Sequence, residues 1–195
     1  MNVDKIEKIF VSTMLEIAEI VKSNTIGSNM KQILNLISFI IEIHKKNNLV
    51  FVYGAGRSGF IGRCFAQRLM HLGLRSCFIS DAITYRYTND DLLILISGSG
   101  ETTSPVAIAK KAREIGGKIV LFTTKSKSTI GNLSDLVIQV KGKSKDDAIT
   151  KETLAPYTSL FDISTLSVLD SIGSVLMEIL NVSENDINNR HTSIE

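Results

Sequence analysis

The sequence predicts an α/β fold: a three-layer α-β-α sandwich in which helices cover both faces of a five-stranded parallel sheet. Three observations carry this reading. Five short apolar runs, residues 49–53, 75–79, 91–96, 118–122 and 136–140, have the length of buried strands rather than of helices. Segments of helical periodicity stand between most of them, as the long crossovers of parallel strands require. Two of the runs open into glycine- and serine-rich loops that lead straight into a helix, the arrangement that puts a ligand crevice at the carboxyl ends of parallel strands.

At 195 residues the chain reads as one domain, large enough to bury a core without disulfides or metals. Within it, residues 1–47 form amino-terminal helices, residues 48–140 an α/β core, and residues 141–195 a polar loop, a long helix and a tail helix. Apolar residues make up 44% of the chain and charged residues 22%, as in ordinary globular domains. The net charge is only +2 and no long basic block occurs, so nucleic acid is not an expected partner. Cys64 and Cys77 lack metal-ligand spacing and are expected to be buried free thiols in a cytoplasmic protein. Charges at Asp4, Lys5, Glu7 and Lys8 interrupt any signal-like start, and no uninterrupted apolar run reaches 18 residues, so no membrane association is expected.

In order along the chain, Ile6, Phe10, Ile17, Ala18 and Val21 recur at helical spacing and predict a helix over residues 3–21. Ser28 is the expected N-cap of a second helix reaching about residue 46, apolar on more than one face and therefore packed on several sides, including against another subunit. After the first strand, a helix is predicted over residues 59–72, and after the third strand another over residues 103–115. Residues 141–153 are the longest polar stretch, placed between a core strand and a core helix, where a functional lid is expected. A long apolar helix over residues 160–180 follows. Ser183-Glu184-Asn185-Asp186 then has the pattern of a capping box opening a short helix that carries Arg190 and His191.

Two loops hold the chemistry. Gly54-Ala55-Gly56-Arg57-Ser58-Gly59 satisfies G-x-G-x-x-G, with Asp81 after the next strand where a ribose-binding acid would stand. A dinucleotide site would leave the second loop, Ser97-Gly98-Ser99-Gly100-Glu101-Thr102, without a role. A P-loop is excluded because Phe60 and Ile61 occupy the Lys and Ser/Thr positions. Both loops precede helices, so free backbone N–H groups and the hydroxyls of Ser58, Ser97, Ser99 and Thr102 converge on one phosphate. Glu101, at a helix start, is expected to serve the dipole there. His71 is expected in packing or an interface, and His44 has no functional case.

These two motifs, with Arg68-Leu69-Met70-His71-Leu72-Gly73, Leu154-Ala155-Pro156 and the terminal Arg190-His191, resemble the sugar isomerase (SIS) domain, and within it the 6-phospho-3-hexuloisomerase family. The similarity runs over nearly the whole chain after about residue 30. It implies an SIS-type, flavodoxin-like single domain and interconversion of 3-hexulose 6-phosphate and fructose 6-phosphate through an enediol. It also implies no metal or organic cofactor, a homotetramer with active sites shared between subunits, and a place in formaldehyde assimilation or pentose phosphate supply. Sugar phosphate would be bound by Gly56, Arg57, Ser58, Asp81, Ser97, Gly98, Ser99 and Thr102. His191, Glu152 and Asp162 are the catalytic candidates, with Arg57 near the developing enediolate. Asp81 and Asp162 stand where the hexuloisomerase pattern has glutamate. The rival expectations are an aldose–ketose isomerase of the same superfamily and a sugar-phosphate-sensing module.

Overall fold

The computed structural model describes residues 2–25, 29–147 and 152–193. Two helices, α1 (Val3–Ser23) and α2 (Met30–Lys45), precede the alternating core of β1 (Val50–Gly54), α3 (Arg57–His71), β2 (Ser76–Phe78), β3 (Leu92–Ile96), α4 (Thr103–Ile115), β4 (Lys118–Thr123), α5 (Thr129–Leu133) and β5 (Leu136–Gln139). A 3-10 turn at Lys145–Asp147 leads towards α6 (Ser159–Ile179) and α7 (Glu184–Arg190). The helix over 103–115 coincides with α4, and each expected strand lies within one or two residues of the observed one.

The five strands are parallel and lie in the order β2-β1-β3-β4-β5. The order reverses between β1 and β3, so the connections that leave these two strands run to opposite faces and part to form a crevice. Alternation along each central strand divides its side chains between two cores. Val50, Val52, Leu92, Ile94, Val120 and Phe122 pack with α2, α3 and α6 on one face. Phe51, Leu93, Leu95, Ile119 and Leu121 pack with α4 and α5 on the other. Each such apolar side chain contributes about 1.5–3 kcal/mol when fully buried.

Local chemistry fixes the element ends. Ser183 and Asp186 form the expected capping box of α7. Gly116, left-handed at φ 101°, closes α4. Asp91, buried at the start of β3, accepts the Leu49 N–H at 2.9 Å and the Thr88 N–H at 2.8 Å, which ties the entry of β1 to that of β3. Ser28 lies outside the described residues. Asn29 occupies the N-cap position of α2 without a capping bond and instead donates to the Gln139 carbonyl.

Three expectations change. Cys64 is exposed and Cys77 half-buried, because Cys64 points off the outer face of α3 and β2 is an edge strand with one neighbour. The polar stretch does not stand free over its first part: Lys143 and Ser144 are buried, and Gly142 lies so close to the α6 backbone that a Cβ there would come within 2.5 Å of the Phe161 Cα. The third concerns α6. Its interleaved Ser, Thr and Gly break every long apolar run, yet by length and mean hydropathy it could cross a membrane, with half of its most apolar window buried in the fold.

A close backbone contact also fixes the turn from β1 into α3. A Cβ on Gly59 would stand 2.7 Å from the Gly54 carbonyl oxygen, and neither atom belongs to a side chain that can swing away. Gly59→Ala is therefore expected to cost about 1–3 kcal/mol in urea denaturation, whereas Gly→Ala at an open exposed position would cost less than that.

Candidate functional site

The loops after β1 and β3 begin side by side, because the register pairs Gly54 with Ile96. They open into a cleft of about 300 Å³ lined by Gly56, Arg57, Ser58, Ser97, Gly98, Ser99 and Thr102, with Pro105, Lys145, Tyr157, Thr158 and Phe161 completing its wall. Every expected binding residue except Asp81 is thereby brought together.

Each loop leaves its helix end open. Gly56 takes φ 57° and ψ −130°, a conformation suited to glycine, and at the N-cap of α3 it has no side chain to bond the first turn. Thr102 is the N-cap of α4, yet its hydroxyl makes no capping bond. Two helix ends with unsatisfied N–H groups and positive partial charge thus face one anion-sized space. Ser97 and Ser99 are buried, and their hydroxyl oxygens accept the N–H groups of Gly100 and Glu101, each at 3.2 Å. Acceptance uses the oxygen lone pairs and leaves both hydroxyl protons to donate to a ligand. Among the described residues, the N–H groups of Gly98 and Ser99 also find no protein acceptor.

The loop is held rigidly. The Gly98 carbonyl accepts the N–H of Thr124 at 3.0 Å, its hydroxyl at 2.8 Å and the Thr123 hydroxyl at 3.0 Å. Gly100 is left-handed at φ 68°, and a Cβ there would meet Ser128 Oγ at 2.1 Å. Glu101 acts on a different helix from the expected one: its carboxylate accepts the Thr129 N–H at 2.7 Å and so serves the start of α5. The Thr129 side chain and, after it, this backbone bond hold its carboxyl below the usual glutamate range.

Arg57 reaches from α3 to Asp162 on α6, with Nε donating to Oδ2 at 2.7 Å. The Arg57 side chain is 61% exposed while that of Asp162 is 3% exposed. Asp162 also accepts the Thr158 hydroxyl at 2.8 Å. Both of these bonds fall on Oδ2, while Oδ1 stands 3.5 Å from the hydroxyl of the cleft-lining Ser58; Asp162 itself is set behind the cleft wall. Asp81 is also elsewhere: beyond the edge strand β2 it pairs with Arg63 at 2.9 Å, beside a separate groove lined by Phe60, Cys64 and Phe78. Glu152 is exposed and does not line the cleft. His191 ends α7 and stacks on His71, ring centroids 5.1 Å apart, while Arg190 donates to the His71 carbonyl at 3.0 Å. Burial and the neighbouring imidazole push the His71 ring below its usual value.

Sequence reasoning missed Lys145, Tyr157 and Thr158. Tyr157 carries the only signal of the three in the backbone, a left-handed φ of 48° that a bulky residue adopts at a cost of roughly 1–3 kcal/mol.

A parallel α/β domain with two open helix ends converging at its switch point is a binding domain for phosphorylated small molecules. The chain belongs to the SIS domain family, which matches residues 42–161. A relative from Methanocaldococcus jannaschii named 3-hexulose-6-phosphate isomerase is 38% identical over 160 residues, covering 82% of this chain and 84% of the relative. A solved structure from Methanococcus jannaschii, for which a molecular function of 3-hexulose-6-phosphate isomerase is inferred, has TM-score 0.79 and 35% identity, covering 95% of this chain and 98% of that one. An Escherichia coli protein solved in complex with arabinose 5-phosphate has TM-score 0.81 and 26% identity, covering 98% and 100%.

Two predictions arise from this geometry. The Glu101 carboxyl is lowered in the folded state, so its stabilisation is complete above the ordinary glutamate range and is lost as pH falls through the lowered value. Melting curves of wild type and Glu101→Gln should therefore differ at neutral pH and converge in acid. Asp162→Asn should cost about 1–2 kcal/mol in urea denaturation, less than the loss of a fully buried ion pair, because the exposed Arg57 left behind is solvated.

Proposed function

We propose that the chain is an isomerase that interconverts 3-hexulose 6-phosphate and fructose 6-phosphate through an enediol, acting in the cytoplasm without a resident metal or cofactor. The observation that carries the proposal is the cleft: four hydroxyls and two open helix ends meet at the switch point of a chain whose relatives of that name align over most of its length.

Phosphate is taken by Ser97, Ser99 and Thr102 at the start of α4, with Ser58 adding a donor from α3. Anchoring this end fixes where the carbonyl carbons lie. A base then removes a proton from one carbon, the enediol forms, and the proton returns to its neighbour, work for which a positioned carboxylate or imidazole typically supplies 10²–10⁴-fold. Arg57, turned by its Nε bond to Asp162, keeps its two terminal nitrogens for the oxygens on which negative charge develops. Glu152 is our candidate base and His191 our candidate for ring opening or proton shuttling.

His191 sits at the carboxyl end of α3, while Arg57 is at its start. A helix of 15 residues separates these ends by about 20 Å, so a tail histidine cannot serve its own chain's cleft. We therefore take the protein to be a homo-oligomer, as the resemblance implies a homotetramer, in which His191 enters a neighbour's site. Isomerase activity, followed by NMR on 3-hexulose 6-phosphate, should fall at least tenfold in His191→Ala and in Glu152→Gln. Activity intact in both would remove the site assignment. An aldose–ketose reaction is the second reading, favoured by the likeness to the protein bound to arabinose 5-phosphate. Turnover of a pentose phosphate in place of the hexulose phosphate would select it.

A further inference from the structure

The cleft contains hydroxyls and N–H groups in abundance but little net charge, and the balance of charge singles out one residue. Among the described residues lining it, Arg57 and Lys145 alone are cations and no carboxylate is present. Arg57 is already compensated by Asp162 at 2.7 Å. Lys145 makes no ion pair among the described residues, although two aspartates follow it directly in the sequence. Both of these are drawn away by Lys125, whose Nζ lies 3.2 Å from an Asp146 oxygen and 3.9 Å from one of Asp147. Asp147 is further fixed by the Ser144 hydroxyl at 2.8 Å.

The same contacts set the position of the lysine. Lys125 follows Thr124, whose N–H and hydroxyl both bond the carbonyl of Gly98 in the phosphate loop. The 3-10 turn is thus tied to the strand end that holds the loop, and its first residue lines the same cleft.

We propose that Lys145 is the countercharge for the substrate's phosphate and the residue by which the cleft selects phosphorylated over free sugars. The proposal rests on the sugar-phosphate reading of this site. The loop and the two helix ends supply neutral donors and partial charges, which suit any oxyanion. A full and compact charge on a flexible stem adds the term that scales with ligand charge, and a lysine delivers it without demanding the planar geometry of a guanidinium. Arg57, held by Asp162, is left for the carbon end of the substrate.

The test uses the full chain and two probes, inorganic phosphate and fructose 6-phosphate, titrated by calorimetry at low and high salt. Lys145 is exposed, so Lys145→Gln should fold as the wild type does. We expect Lys145→Gln to bind both probes about ten- to a hundredfold more weakly at low salt and to lose most of the salt dependence, and Lys145→Arg to recover to within about threefold. In turnover, KM for the sugar phosphate should rise with kcat changed far less. Unchanged affinity in Lys145→Gln, or failure of Lys145→Arg to restore it, would overturn the proposal, as would a wild type that binds neither probe. A wild type that binds phosphate yet isomerises no 3-hexulose 6-phosphate would remove the proposed reaction while leaving Lys145 to be judged by the phosphate titration.

Discussion

The pairing of β1 with β3 is the constraint on which the rest of the site depends. Their register sets Gly54 against Ile96, so the two strands end at the same height and both following loops begin together. A slip of one residue would exchange the side chains that the slipped strand sends to the two cores, and the packing of both cores makes that slip costly. The cleft is therefore fixed by burial well away from any ligand. Glycine at 54 and 59 lets the first turn of α3 sit against the end of β1, which sets the open helix end at the mouth of the crevice.

A second layer of order comes from groups that satisfy one another so that others stay available. Ser97 and Ser99 accept N–H groups and keep their protons; Asp162 takes one nitrogen of Arg57 and leaves two; Lys125 takes both aspartates of the 3-10 turn and leaves Lys145. In the first two cases a fixed partner holds the side chain in place, and in the third the turn is held while its lysine stays unpaired among the described residues, so the groups that face the cleft remain available to a ligand. Preorganisation of this kind is what makes hydrogen bonds worth more in a site than in water.

How much of this was legible in the sequence follows from how local each signal is. The strands, the α4 boundaries and the α7 capping box were readable because apolar runs and caps act within a few residues. The two loops were readable as helix-start turns for the same reason, and having two of them together narrowed what a lone G-x-G-x-x-G would have left open. What failed were partners set by the fold. Glu101 bonds a residue 28 positions on, Arg57 one 105 positions on, and Asp81 finds Arg63 on the outer face of α3. Lys145 was hidden in a run of like residues, where only the alternation of a buried Lys143 and a cleft-lining Lys145 separates scaffold from site.

Position 162 shows how such a contact changes the meaning of a substitution. Where the hexuloisomerase pattern carries glutamate, this chain has aspartate, and a shortened acid near reacting carbons would be expected to slow proton transfer. The carboxylate, however, does not line the cleft: Thr158 and Arg57 close on its Oδ2 from the starts of two helices, and its Oδ1 stands behind the Ser58 hydroxyl at 3.5 Å. A methylene more at this position would not extend a base towards substrate. It would press the guanidinium outward, away from α6, and so alter the depth at which Arg57 stands in the cleft. The difference between aspartate and glutamate here therefore bears first on where the arginine charge is presented, and through it on which oxygen of a bound sugar phosphate that charge can reach.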